Sequence, residues 1–141
     1  MLTKLGVALA VLVGVGANCK AAPAENQSYA DFAKAALDGK DIRVTLDLAN
    51  CTVEGTDKPG PPIRGSARFD AFMVLEDHIS FSMTHFTVRD DNSPVTEFVS
   101  FKARPNGKIE VHSRFLNAAT FSVFHDAAFE CEFGKGVTPH W

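Results

Sequence analysis

Residues 78–115 read HISFSMTHFTVRDDNSPVTEFVSFKARPNGKIEVHSRF, and the period of this stretch decides the fold. Ile79, Phe81, Met83 and His85 alternate with Ser80, Ser82 and Thr84, while Val95, Glu97, Val99 and Phe101 alternate with Thr96, Phe98, Ser100 and Lys102. A period of two belongs to a β-strand, whose successive side chains point to opposite faces. Asp90-Asp91-Asn92-Ser93-Pro94 and Pro105-Asn106-Gly107 interrupt the pattern. The second is the clearest hairpin signal, because Asn-Gly suits the positive φ angles of hairpin turns. Strands are therefore expected at 78–89, 95–103 and 108–115, and their short connections make them antiparallel neighbours.

Working outward, strand-like runs recur at 66–75, 120–125 and 128–133, separated by Glu76-Asp77 and Asn117-Ala118-Ala119. Upstream, Ile42, Val44, Leu46 and Leu48 alternate with Arg43, Thr45 and Asp47, and Cys51 and Val53 continue beyond them. The stretch 54–65, EGTDKPGPPIRG, is a long connection rich in proline and glycine. Before the strands the period is helical. Tyr29, Phe32, Ala33, Ala36 and Leu37 form one apolar stripe, with Ser28 and Asp31 in an S-x-x-D capping pattern and Gly39 as the stop. The expected fold is mainly β: an antiparallel meander of about six or seven strands with one short N-terminal helix packed on it. Barrel-like and sandwich arrangements fit this pattern equally.

Residues 1–24 have the parts of a secretory signal: Lys4, the run LGVALAVLVGVGA at 5–17, then small residues at Ala21, Ala22 and Ala24. Cleavage is expected near 21 or 24, leaving 25–141 as a single β domain. The apolar run is too short for a spanning helix of roughly 20 residues, so no stable membrane span is expected after cleavage. Cys19 sits where a lipidated cysteine would, but Asn18 and Gly16 do not suit that junction. The expected address is secreted, extracellular or periplasmic. Once the leader is removed, 12 basic side chains stand against 17 acidic ones, which disfavours nucleic acid as a partner. Twelve phenylalanines against one tyrosine and one tryptophan point to a Phe-filled core.

Cys51 and Cys131 remain as an even pair in an exported chain, which reads as one disulfide tying the first strand to the last. Two buried thiols or a metal pair are the alternatives. Asn26-Gln27-Ser28 and Asn50-Cys51-Thr52 are glycosylation sequons, and Asn26 is the more accessible candidate.

Strand parity nominates a pocket lining of Phe69, Met73, Phe81, Met83, His85, Val99 and Phe101. In the run 66–75, Ala67, Phe69, Ala71, Met73 and Leu75 share one face and Phe72 and Val74 the other. His112 has the parity of Glu110 and Arg114, a solvated face, while His125 shares parity with Phe121 and Val123. A metal site from His85, His112 and His125 is conceivable across adjacent strands, although no H-x-H or HExxH spacing demands it. Asp70, Glu97 and Asp126 could supply a carboxylate partner to a histidine. No serine sits in a G-x-S-x-G elbow.

The order of several motifs resembles the VirK family, named for a virulence-region protein of plant-associated bacteria. They are YADFAKAALDG at 29–39, VTLDLANC at 44–51, ISFSMTHFTV at 79–88, VTEFVS at 95–100 and FECEFGKGV at 129–137. The resemblance implies a small exported protein, supports pairing Cys51 with Cys131, and loosely suggests contact between microbe and host. It brings no enzymatic activity, cofactor or catalytic residue with it. A lipocalin is not matched, since the early G-x-W is missing and Trp141 is at the other end.

The leading expectation is a non-enzymatic binding protein, acting through an apolar pocket or patch on a protein, a surface polymer or a small apolar ligand. One alternative is a small hydrolase or metal-dependent enzyme using His85 or His125 with a carboxylate. The other is a structural component of a cell surface or extracellular matrix.

Overall fold

The computed structural model describes residues 28–141. The expected signal segment, Cys19 and the Asn26 sequon lie outside the described residues. Helix α1 (Tyr29–Leu37) begins on a capping box, in which Ser28 Oγ accepts from the Asp31 N–H at 3.2 Å and the Asp31 carboxylate accepts from the Ser28 N–H at 3.1 Å. The helix stops before Gly39, whose φ is 68°. Strands follow as β1 (Ile42–Asp47), β2 (Thr52–Val53), β3 (Arg64–Phe69), β4 (Phe72–Val74), β5 (Ile79–Val88), β6 (Pro94–Ala103), β7 (Lys108–Asn117), β8 (Val123–Phe133) and β9 (Gly136–His140).

These strands form one sheet in the order β3-β1-β9-β8-β7-β6-β5-β4, with β2 attached to β8. The two ends of that path, β3 and β4, are separated in sequence only by Asp70 and Ala71, and the Phe69 and Phe72 rings lie 6.2 Å apart. The sheet therefore curls almost closed, a barrel rather than a sandwich. The strand total exceeds the expected six or seven because three pieces were concealed in the sequence. A 3-10 turn at Leu48–Asn50 cuts β2 away from β1, the run 66–75 splits into β3 and β4, and the C-terminal segment forms β9. In the opposite direction, 120–125 and 128–133 merge into the single strand β8. The sheet departs from an antiparallel meander where β1–β9 and β2–β8 join strands far apart in sequence and where β8 and β9 run parallel.

Closure is confined to one end. β4 pairs with β5 only at Ile79, Ser80 and Phe81, and β2 and β9 meet β8 only from Phe129 onward. Ser82–Val88 of β5 and Val123–Ala127 of β8 thus have strand neighbours on one side alone among the described residues. The four long strands extend past the closed part as an open, curved sheet.

Phe32 seals the closed end. It is fully buried, and its ring makes edge-on contacts with Phe72, Phe81 and Phe133 at centroid distances of 5.6, 5.5 and 5.8 Å. Trp141 stacks over it at 6.4 Å. A further plate is formed by Phe81 and Phe101, stacked at 4.8 Å, with Phe69 edge-on to both. Six of the twelve phenylalanines meet in this core, whereas Phe86, Phe121 and Phe124 are exposed.

Cys51 and Cys131 are joined in a disulfide, with Cα atoms 4.4 Å apart. The bridge does not run from first strand to last as expected. Cys51 follows the 3-10 turn and Cys131 lies on β8, so it ties the wall containing β1 to the four-stranded sheet. Gly136 packs on this bridge with φ 96°, and a Cβ there would sit 2.6 Å from Cys51 Sγ. Gly136→Ala is therefore expected to cost about 2–3 kcal/mol through overpacking and an unfavourable φ, read as a lowered urea midpoint. A loss below about 0.5 kcal/mol would contradict this packing.

Candidate functional site

Register places the inward side chains of β5, β6, β7 and β8 in four transverse rows. Deepest is Ile79, Ala103, Ile109 and Cys131; above it come Phe81, Phe101, Val111 and Phe129. The third row is Met83, Val99, Ser113 and Ala127, and the outermost is His85, Glu97, Phe115 and His125. Side-chain size falls sharply at the third row, where Ser113 and Ala127 replace the bulk of Val111 and Phe129. Facing it are the small residues Gly65, Ser66 and Ala67 of β3. Close packing needs volume on both sides of a core, and here neither side supplies it. The result is a cavity of about 320 Å³.

Leu46, Leu48, Pro61 and Ile63 form the opposite wall, so the proline-rich connection lines the cavity as well as joining β2 to β3. Phe69, Phe101 and Phe129 lie along its floor. The walls are overwhelmingly apolar, with the polar groups gathered in the outer rows. Glu97 Oε1 accepts from Ser113 Oγ at 2.8 Å, and His85 Nε2 lies 3.3 Å from Glu97 Oε2. The Glu97 side chain is 19% exposed, so this carboxylate is half-buried at the cavity's outer row. His125 completes the row with its ring centroid 5.8 Å from that of Phe115.

Of the seven residues nominated from sequence, Phe69, Met83, His85, Val99 and Phe101 line the cavity. Met73 does not, being 62% exposed. The run 66–75 breaks at Asp70 and Ala71, and this interruption inverts the parity, turning Phe72 and Val74 inward and Met73 out. Phe81 is buried beneath the floor, stacked on Phe101, rather than lining the space. Ser113, Phe115 and Ala127 were missed although Ile109 and Val111 set the parity that points Ser113 and Phe115 inward. A small polar residue on an apolar face was the available signal.

The histidines do not converge as a metal triad. His112 faces the other side of β7, where it contacts Asp126, and Arg114 bonds the same carboxylate at 3.2 Å. Packing costs the Asp126 carboxylate some hydration, yet His112 and Arg114 hold it below the ordinary carboxylate range. Among the described residues no group of three His, Cys, Asp or Glu side chains is placed to hold a metal ion. Within the cavity the polar connection runs Ser113–Glu97–His85, with the carboxylate in the middle. In a Ser-His-acid triad the imidazole stands between serine and carboxylate, so this order is not that of such a triad. Asp70 is not part of the lining, being exposed and paired with Arg68 at 3.5 Å.

Comparison with known proteins supplies the relatives. The family model described as VirK protein matches residues 25–121. The uncharacterized protein y4wH of Sinorhizobium fredii is 28% identical over 113 residues, covering 79% of this chain and 78% of that protein. The uncharacterized protein in the pinF2 3′ region of Rhizobium radiobacter is 30% identical over 102 residues, covering 71% of this chain and 70% of its own length. The crystal structure of lpg1832, a VirK family protein from Legionella pneumophila, shares the fold with a TM-score of 0.73 at 22% identity, over 82% of this chain and 98% of that one. On the strength of the matched segment and the common architecture, the chain belongs to the VirK family.

Proposed function

We propose that this protein acts outside the cytoplasm by holding a small, mainly apolar molecule in the cavity between the β1–β3 wall and the four-stranded sheet. The observation that carries the reading is the third row. Ser113 and Ala127 leave about 320 Å³ unfilled directly above a row packed with phenylalanine and valine. That volume is within the range of small-molecule sites, and an apolar lining with a few gathered polar groups is their usual character. The extracytoplasmic address rests on the apolar leader and on the disulfide, which persists in oxidising compartments.

The test uses N-phenyl-1-naphthylamine, an uncharged apolar fluorophore, with the purified oxidised protein. Its emission is expected to rise on binding, and Ala127→Phe or Ser113→Leu, each filling the cavity from a different strand, is expected to reduce that rise at least tenfold. Thermal melts establish that each variant is folded. No binding by the parent protein, or equal binding by both folded variants, would overturn the proposal.

A further inference from the structure

We infer that the cavity's occupant carries a positively charged amine or ammonium group, held at Glu97 with its apolar part directed toward Phe101 and Phe129. This rests on the ligand-binding reading above and adds the chemical class. Among the described residues that line the cavity, Glu97 is the sole carboxylate, and no lysine or arginine accompanies it. The nearby arginines are engaged elsewhere: Arg114 bonds Asp126 on the outer face, and Arg89 stacks over Phe124 at 5.2 Å. The other polar side chains in the outer rows are the imidazoles of His85 and His125 and the Ser113 hydroxyl.

A carboxylate can accept about four hydrogen bonds, and within the protein Glu97 has Ser113 and His85 as partners. It therefore retains acceptor capacity in a space that is otherwise apolar. Partly buried between apolar walls, it would attract a cation and repel a second carboxylate. Phe115, the cross-strand partner of Glu97, and His125 beside it place two π systems in the same row. Aromatic rings with an acid are a recurrent way of holding an ammonium group. Below that row, Met83 and Val99 lead to the phenylalanine floor, so polarity falls steadily along the path a tail would take.

Three probes with the same eight-carbon tail separate head-group charge from burial: octylamine, 1-octanol and octanoate. Each is titrated against bound N-phenyl-1-naphthylamine at pH 8, where imidazole in water is uncharged. Octylamine is expected to displace the fluorophore at a concentration at least tenfold below that of octanoate, with octanol between them. In Glu97→Gln the ratio of the octanoate to the octylamine displacing concentration is expected to fall toward one. Equal displacement by all three probes, or preference for octanoate, would overturn the ammonium assignment while leaving the cavity a binding site. An unchanged ratio in folded Glu97→Gln would overturn it too. Failure of the fluorophore to bind the parent protein would overturn both readings.

Discussion

Replacing Cys51 and Cys131 together with alanine is expected to remove about 4.5 kcal/mol of stability, a large part of the 5–15 kcal/mol that holds a domain folded. The two cysteines are 80 residues apart in sequence, so the bridge excludes many open conformations of the unfolded chain. For a chain of this size the loss corresponds to a fall in melting temperature on the order of 15–25 °C. The bridge also joins the opposing walls of the cavity, since Cys51 follows the turn at Leu48 and Cys131 lies at the root of β8. Weakened fluorophore binding should therefore accompany the loss of stability well below the melting point. Reduction of the unsubstituted protein should reproduce both effects. A double-alanine variant within about 1 kcal/mol of the parent would show that the native fold gains little from the covalent tie.

Legibility in the sequence followed the strength of the period. From Ile79 to Phe115 the alternation is long and its breakers are unambiguous, so three strands and their neighbours could be read directly. The Asn-Gly turn was placed correctly, although only Gly107 adopts positive φ, at 82°, in a longer connection than the tightest hairpin. Helix α1 was equally clear from its cap and glycine stop, although the buried stripe is centred on Phe32 and Ala35 and leaves the expected member Leu37 exposed. Failures occurred where tertiary contacts outweigh pattern. Nothing in FDAF shows that Asp70 and Ala71 will turn the chain and invert the parity, which is why Met73 was misplaced. β9 was hidden behind Gly134, Gly136 and Pro139, residues that read as a turn or tail. Proline fits there because β8 pairs with β9 only at Gly136 and Val137, leaving Pro139 a strand neighbour on the β1 side alone. The cavity was half legible: parity gave five lining residues, but a void depends on the size of what faces them, and that requires the opposing wall. The proline-rich connection that supplies Pro61 and Ile63 has no periodicity from which its position could be inferred.

Phe32→Ala is expected to cost about 3–5 kcal/mol, the range for deleting a fully buried aromatic ring. A nine-residue helix is marginal by itself and is retained by what its apolar stripe touches. Phe32 is the centre of that contact, meeting Phe72 of β4, Phe81 of β5, Phe133 of β8 and Trp141 beyond β9. These partners come from both sides of the barrel, so the ring bridges the closed end as well as anchoring α1. Its removal should lower the melting temperature by roughly 10–20 °C and raise amide exchange in α1 to that of a frayed terminus while the β5–β8 ladder stays protected. Leu37→Ala on the same helix is the control. Leu37 is 74% exposed, and its truncation should stay within about 0.5 kcal/mol of the parent. Should the two substitutions cost the same, the helix would be an accessory to the sheet rather than its seal. If Phe32→Ala alone is severe, the stacked Phe81 and Phe101 plate lies between a packed plug and an open cavity, which explains how one barrel can be solid at one end and receptive at the other.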